Sequence, residues 1–263
     1  MLQIVLPDAF DPDNVGVLDM ALEETILGSL SFNGQRCTAL KLLFVPTAHA
    51  GTFAQEFAER VESLTVGLPW QTSKGAYSKI TPLPNQKRVD YMKSLIDDAT
   101  SKGAKILNKD GGSVIGGPDS TLMVPAVLYP VTPEMNIYME EQFGPVIPIA
   151  PYTDIETVLE YGREGKYGQQ VSIFTGERNA GMAADLLDKF APVFGKINVN
   201  SQCGRSPDTV PFSGRRSSAM GVMSVKDALR EFSIPTVVAY KEKGPNSSIV
   251  GQIEKSSRFM EKV

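Results

Sequence analysis

Short apolar runs rich in β-branched residues alternate with stretches of helical periodicity along most of this chain, and that alternation limits the fold more than any other feature. Strands separated by helices are joined by crossovers, and crossovers set strands side by side in a mainly parallel α/β sheet with flanking helices. The apolar runs are 3–6, 40–45, 122–129, 146–152, 170–175 and 196–200. Helical periodicity covers 17–32, 53–64, 87–102, 155–164 and 180–190, with Phe57, Val61 and Leu64 marking one apolar face. Ser224 followed by Asp227 makes a capping box that would start a further helix. A chain of 263 residues with 42% hydrophobic content can bury a core without disulfides or metal.

Other stretches break the pattern. Residues 205–222 are rich in Ser, Gly, Pro and Arg and read as a long ordered loop, a type that often carries function. The run FSIPTVVAY near 232–242 is β-branched with one proline, which confines it to an edge strand or a strand start. Its apolar content points to pairing, for which another subunit is a candidate. Residues 243–263 are polar and are expected as a loose tail. The glycines of 111–117, GGSVIGG, match neither a dinucleotide fingerprint nor a Walker loop, and read as a turn between a helix and a strand.

The net charge of -4 leaves no electrostatic footprint for nucleic acid or an anionic membrane. The opening MLQIVLPDAF has neither a basic region nor an apolar run long enough for a signal or membrane helix, and reads as a buried strand. Two cysteines, Cys37 and Cys203, do not make a disulfide framework; reduced thiols fit a cytoplasmic or organelle-stroma setting. With one histidine, His49, and two distant cysteines, no zinc site of ordinary spacing can be built. His49 lies in the turn-like 47–51 and reads as a solvated loop residue rather than a base for Cys37.

The stretch SFNGQRCTA carries the chemistry. A helical pattern ends at Asn33-Gly34 and a strand pattern begins after Thr38, so Cys37 sits at a tight junction. A thiol is a useful nucleophile only as thiolate, which nearby positive charge favours. On spacing alone, however, the pattern favours a buried, inert thiol, because free cysteine is among the most buried residue types.

GQRCTA resembles the active-site cysteine motif of the aldehyde dehydrogenases. Glu140-Glu141-Gln142-Phe143-Gly144-Pro145-Val146 is similar to that family's E-x-F-G-P-V segment. Pro211-Phe212-Ser213-Gly214 with Ser218-Ala219-Met220-Gly221 is similar to its P-F-G-G…S-G-x-G loop, Ser213 and Ala219 standing where the family has glycines. All three motifs occur in the family's order and spacing, over about residues 1–242. Within the family the likeness is closest to the non-phosphorylating, NADP-dependent glyceraldehyde-3-phosphate dehydrogenases, through SFNGQRCTALK, LTVGLP, EEQFGPVIPI and INVNSQCGRSPDTVPFSG. The resemblance implies a catalytic domain over 1–231, including the active-site loop, an oligomerisation strand over 232–242, and a tail over 243–263.

It also implies a mechanism. Cys37 thiolate attacks an aldehyde carbon, hydride passes to NADP or NAD, and the resulting thioester is hydrolysed to the acid. The backbone N–H of Cys37 contributes to the oxyanion hole. Glu141 bonds the nicotinamide ribose and Phe143 packs near the nicotinamide ring. Arg36 and Arg205 contact a substrate phosphate, for which guanidinium is the matched donor; as residues alone they read equally as solvated loop arginines. Cys203 has no role in the family mechanism and is expected to be structural.

The resemblance further implies a missing half. The family's general-base glutamate and oxyanion asparagine, with most of its cofactor-binding domain, precede the strand at which this chain opens. No glycine fingerprint replaces them. Two functions therefore stand open. One is oxidation of a small aldehyde, such as glyceraldehyde 3-phosphate, by an incomplete catalytic half. The other is an inactive fragment or partner subunit that assembles with full-length enzyme or with its own copies.

Overall fold

In the computed structural model, which describes residues 1–73 and 76–260, the apolar runs and the unexpected edge strand Lys105–Ile106 form one seven-stranded sheet. Its strands are β1 (Leu2–Val5), β2 (Leu42–Pro46), β3 (Lys105–Ile106), β4 (Ala126–Tyr129), β5 (Val146–Tyr152), β6 (Gln170–Phe174) and β7 (Lys196–Val199). They lie in the order β7-β6-β1-β2-β5-β4-β3. All neighbours are parallel except β3, which runs antiparallel to β4 at the edge. Helices α1 (Val17–Leu30), α2 (Thr47–Glu62), α3 (Gln86–Ser101), α4 (Ile155–Glu164) and α5 (Ala180–Phe190) connect them. The mainly parallel α/β sheet with flanking helices is the expected architecture.

Side chains alternate across the sheet, so each strand feeds two cores. Leu2, Ile4, Leu42 and Phe44 pack with Val89 and Met92 of α3, Leu159 of α4 and Leu186 of α5. Val5, Leu43 and Val45 pack on the other face with Leu22 of α1 and Phe53 and Phe57 of α2. Burial on both faces explains why these strands read as continuous apolar runs.

Three local expectations change. The run 122–129 splits at Pro125, which has no N–H to continue a ladder; Leu122–Met123 pairs instead with Val114–Ile115 in a hairpin. Gly112, Gly116 and Gly117, with φ of 79°, 100° and 104°, serve the bends around that hairpin rather than a plain helix-to-strand turn. Helix α2 begins at Thr47 and takes His49 into its first turn, where the imidazole stacks on Phe10 at 4.3 Å instead of standing free in a loop. The 205–222 loop is held by two short ladders, Phe212–Ser213 with Val222–Met223 and Arg215–Arg216 with Tyr167–Gly168.

One compact unit covers Met1–Ser224 and a second begins at Val225. The second contains α6 (Val225–Glu231), which starts directly after Ser224 as the capping box predicts, and α7 (Asn246–Ser256). The expected loose tail is thus partly helical, because Ile249, Val250 and Ile253 recur at helical spacing. Residues 232–242 form no strand in the single chain. Phe232, Ile234 and Val237 are 93%, 95% and 83% exposed, so the stretch lacks the neighbour that a ladder requires. Among the described residues no helix is long and apolar enough to cross a membrane.

Candidate active site

Cys37 follows a backbone turn that few sequences can adopt. After α1, Phe32, Asn33 and Gly34 take φ of 54°, 58° and 68° in succession. Left-handed residues cost about 1–3 kcal/mol each when not glycine, and persist only where the surroundings over-determine them. Asn33 supplies that restraint: its Nδ2 donates to Thr81 O at 2.8 Å, and its Oδ1 accepts from Thr81 N at 2.9 Å. Gly34 is required for a second reason. A Cβ there would fall 2.6 Å from Gly144 O and 2.7 Å from Ser29 O, so the turn presses backbone to backbone against the 140–146 loop. The glycine of GQRC and the glycine of EQFGP are the contact that brings the first two motifs together.

The opposing loop is equally constrained. Phe143 has φ of 50°, and the Arg88 guanidinium of α3 clamps that loop by donating to Gln142 O and to Phe143 O, the latter at 3.0 Å. The buried Gln142 donates from Nε2 to Val146 O at 2.7 Å and to Lys41 O at 3.3 Å, tying the loop to the start of the β2 segment. These donors fix a backbone that would otherwise relax out of its left-handed region.

Between the two loops lies one open cleft lined by Cys37, Glu141 and Phe143. Met1, Tyr167, Gln169, Ser217 and Ser218 complete its wall, and Ser218 Oγ accepts from Gly168 N at 2.9 Å. Cys37 is exposed, which removes the inert-buried-thiol reading of its spacing. Cys203 is the buried thiol. Burial pushes its pKa up to about 12, and Asn198 Nδ2 lies 3.7 Å from its Sγ, so it is a poor nucleophile with a packing role.

The two arginines do not join the cleft. Arg36 turns back on α1: its Nη2 donates to Leu27 O at 2.8 Å, Gly28 O at 3.2 Å and Gln202 Oε1 at 2.8 Å. A guanidinium on the last carbonyls of a helix satisfies unpaired acceptors and opposes the negative dipole end. Burial lowers its pKa, with Cys203 and Cys37 opposing that shift. Most of the Arg36 donors are thus engaged with protein acceptors, Nη1 reaching Thr38 Oγ1 at 3.2 Å, while Nε is left without a partner. Arg205 is exposed, 3.2 Å from Asp208 and 5.7 Å from the Phe212 ring centroid.

Sequence reasoning brought forward Cys37, Glu141 and Phe143, and the fold unites them. It missed Arg88, whose role depends on a contact across 55 positions of chain. It also missed Lys41, a single charge at the head of an apolar strand run, which was the available signal. Tyr167 and Gln169 carried no signal at all.

A mainly parallel α/β sheet here presents an exposed cysteine, a carboxylate and an aromatic ring in one cleft. The chain belongs to the aldehyde dehydrogenase family, whose model matches residues 3–238. It is 34% identical over 211 residues to the NADP-dependent glyceraldehyde-3-phosphate dehydrogenase of Streptococcus equinus, covering 80% of this chain and 41% of that protein. The enzyme of the same name from Apium graveolens is 30% identical over 213 residues, covering 81% of this chain and 40% of its own. Among solved structures, the NADP-dependent glyceraldehyde-3-phosphate dehydrogenase of Bacillus halodurans C-125 complexed with NADP aligns with a TM-score of 0.74 at 33% identity, over 87% of this chain and 43% of that one. The chain therefore spans about 40% of the length of the relatives it matches.

Proposed function

We propose that this chain carries the thiol half of an aldehyde-oxidising site that works with NADP or NAD. The observation that carries the reading is the shared cleft of Cys37, Glu141 and Phe143. Cys37 is the nucleophile toward the aldehyde carbon, and its backbone N–H steadies the developing oxyanion. Glu141 offers a carboxylate to ribose hydroxyls and Phe143 a flat face to a nicotinamide ring, so these residues fit that end of the cofactor. The cofactor, when bound, supplies the hydride acceptor. The names of the relatives favour NADP and a small phosphorylated aldehyde. On this chain Arg205, exposed and paired only with the exposed Asp208, is the guanidinium more accessible to a phosphate, since Arg36 holds the helix end. Loss of Arg205 should then raise KM for the phosphorylated aldehyde far more than for an unphosphorylated one.

NADP reduction with glyceraldehyde 3-phosphate, measured on the chain alone and after addition of a relative's N-terminal half, tests the reading against Cys37→Ser. Turnover that disappears with the thiol supports it, and turnover that survives Cys37→Ser contradicts it.

A second reading, assembly with other subunits, is supported by the exposed apolar run 232–242, which has the composition of a strand and no neighbour in the single chain. Sedimentation of the chain with and without Ile234→Asp tests it: an assembly lost with the substitution supports pairing through this run, and a monomer in both contradicts it.

A further inference from the structure

Lys41 stands out among the side chains around the cleft because its charge is buried without a counter-ion. It is 4% exposed. Its ammonium meets a neutral carbonyl, Gly34 O at 3.3 Å, and the face of the Phe143 ring, 4.6 Å from the centroid. Among the described residues no carboxylate forms an ion pair with it. A buried, unpaired ammonium opposes folding, so a core position next to a nucleophile has no packing reason to hold one. The groups that face it are Glu141 and Cys37 from the cleft, Arg36 and Arg88, and the Met1 amino group.

The two neutral contacts lie on different walls. Gly34 belongs to the left-handed turn that delivers Cys37, and Phe143 to the loop that faces the cofactor. One cationic side chain therefore spans the contact between the first two motifs, where Gly34 and Gly144 already touch.

We infer that Lys41 is a positioning residue whose ammonium ties the Cys37 turn to Phe143 and sets the positive field in which the Cys37 thiolate reacts. This rests on the aldehyde dehydrogenase reading of the cleft, and it gives a role to a residue that closes the SFNGQRCTALK segment and has none in the mechanism set out above. Burial lowers the Lys41 pKa to about 8, so the field weakens within an accessible pH range.

The test needs no turnover, which separates it from the activity assay above. In the intact chain, Cys37 is alkylated with iodoacetate and with iodoacetamide, and each rate is read by mass spectrometry of the Cys37 peptide. Both reagents consume the same thiolate and are of similar size. The ratio of their rates therefore cancels the thiolate fraction and access, and reports local charge. In the unsubstituted chain the iodoacetate-to-iodoacetamide ratio should fall as pH passes through about 8. In Lys41→Met the ratio should be lower at neutral pH, roughly 3- to 10-fold, and flat with pH. Lys41→Arg should restore the neutral-pH ratio without the step. Ratios that coincide in the unsubstituted chain and Lys41→Met overturn the inference. If Lys41→Met does not fold, a flat ratio across pH in the unsubstituted chain overturns it equally. A Cys37 inert to both reagents contradicts the nucleophile itself, and the inference falls with it.

Discussion

The cleft has two kinds of wall, and they are held by different physics. One is the pair of loops at 31–37 and 140–146, where backbone meets backbone through Gly34 and Gly144. Asn33, Gln142 and Arg88 spend their donors on holding left-handed residues in place there. The other is the arm at 205–223, mostly exposed and secured by two-residue ladders and by Arg216, whose Nη1 donates to Gly162 O at 2.8 Å and to Gly165 O. The first wall is over-determined and carries Cys37; the second is lightly attached and carries only the rim residues Ser217 and Ser218. A side chain that must be placed without error belongs on a wall that has no alternative packing, while a lightly held arm can vary.

Substitutions should separate the two walls by size of effect. Gly34→Ala adds both a left-handed penalty and a clash with two carbonyls, and should cost about 2–5 kcal/mol, read as the shift in denaturant midpoint. Arg88→Met leaves two carbonyls without a charged donor and should cost about 1–3 kcal/mol, with Cys37 alkylation altered as the loop relaxes. Arg216→Ala, on the arm, should cost about 1 kcal/mol or less, yet quicken Cys37 alkylation as the rim loosens. A cost for Arg216→Ala equal to that of Gly34→Ala would break the contrast between the walls.

The pH dependence sharpens it further. Lys41 titrates near 8 when folded against 10.5 as its unperturbed value, so between those pH values the unfolded chain binds the extra proton. Stability should therefore rise with pH across that window, by up to about 3 kcal/mol from this group. The penalty is fully present below pH 8 and is relieved as the buried amine loses its charge. Lys41→Met should abolish that rise while leaving the chain at least as stable at neutral pH. A rise that persists in Lys41→Met would assign it to another group.

How much of this could be read from the sequence follows the same division. The sheet was legible because strands buried on both faces have nowhere to place polar residues, as in the runs that become β2 and β5. Cys37, Glu141 and Phe143 were legible through motif order, and the structure adds why that order works: the motif glycines are where the loops touch. Arg88 and Tyr167 were not, since neither carries a local pattern, and Lys41 offered only a single charge at the head of an apolar run. Arg36 is a different case: the resemblance implies a phosphate contact for it, whereas in the single chain its guanidinium closes the end of α1, a contact that no local pattern announces. The 232–242 strand could be read as a composition but not as a structure, because a ladder is a property of two strands.

The decisive measurement is protection of Cys37 from iodoacetamide by an aldehyde, with Cys203 as the buried internal control. Glyceraldehyde 3-phosphate should slow alkylation of Cys37 reversibly, because the thiol and the aldehyde carbon form a hemithioacetal, while Cys203 stays unmodified throughout. Alkylation of Cys37 at the same rate with and without saturating aldehyde would contradict it.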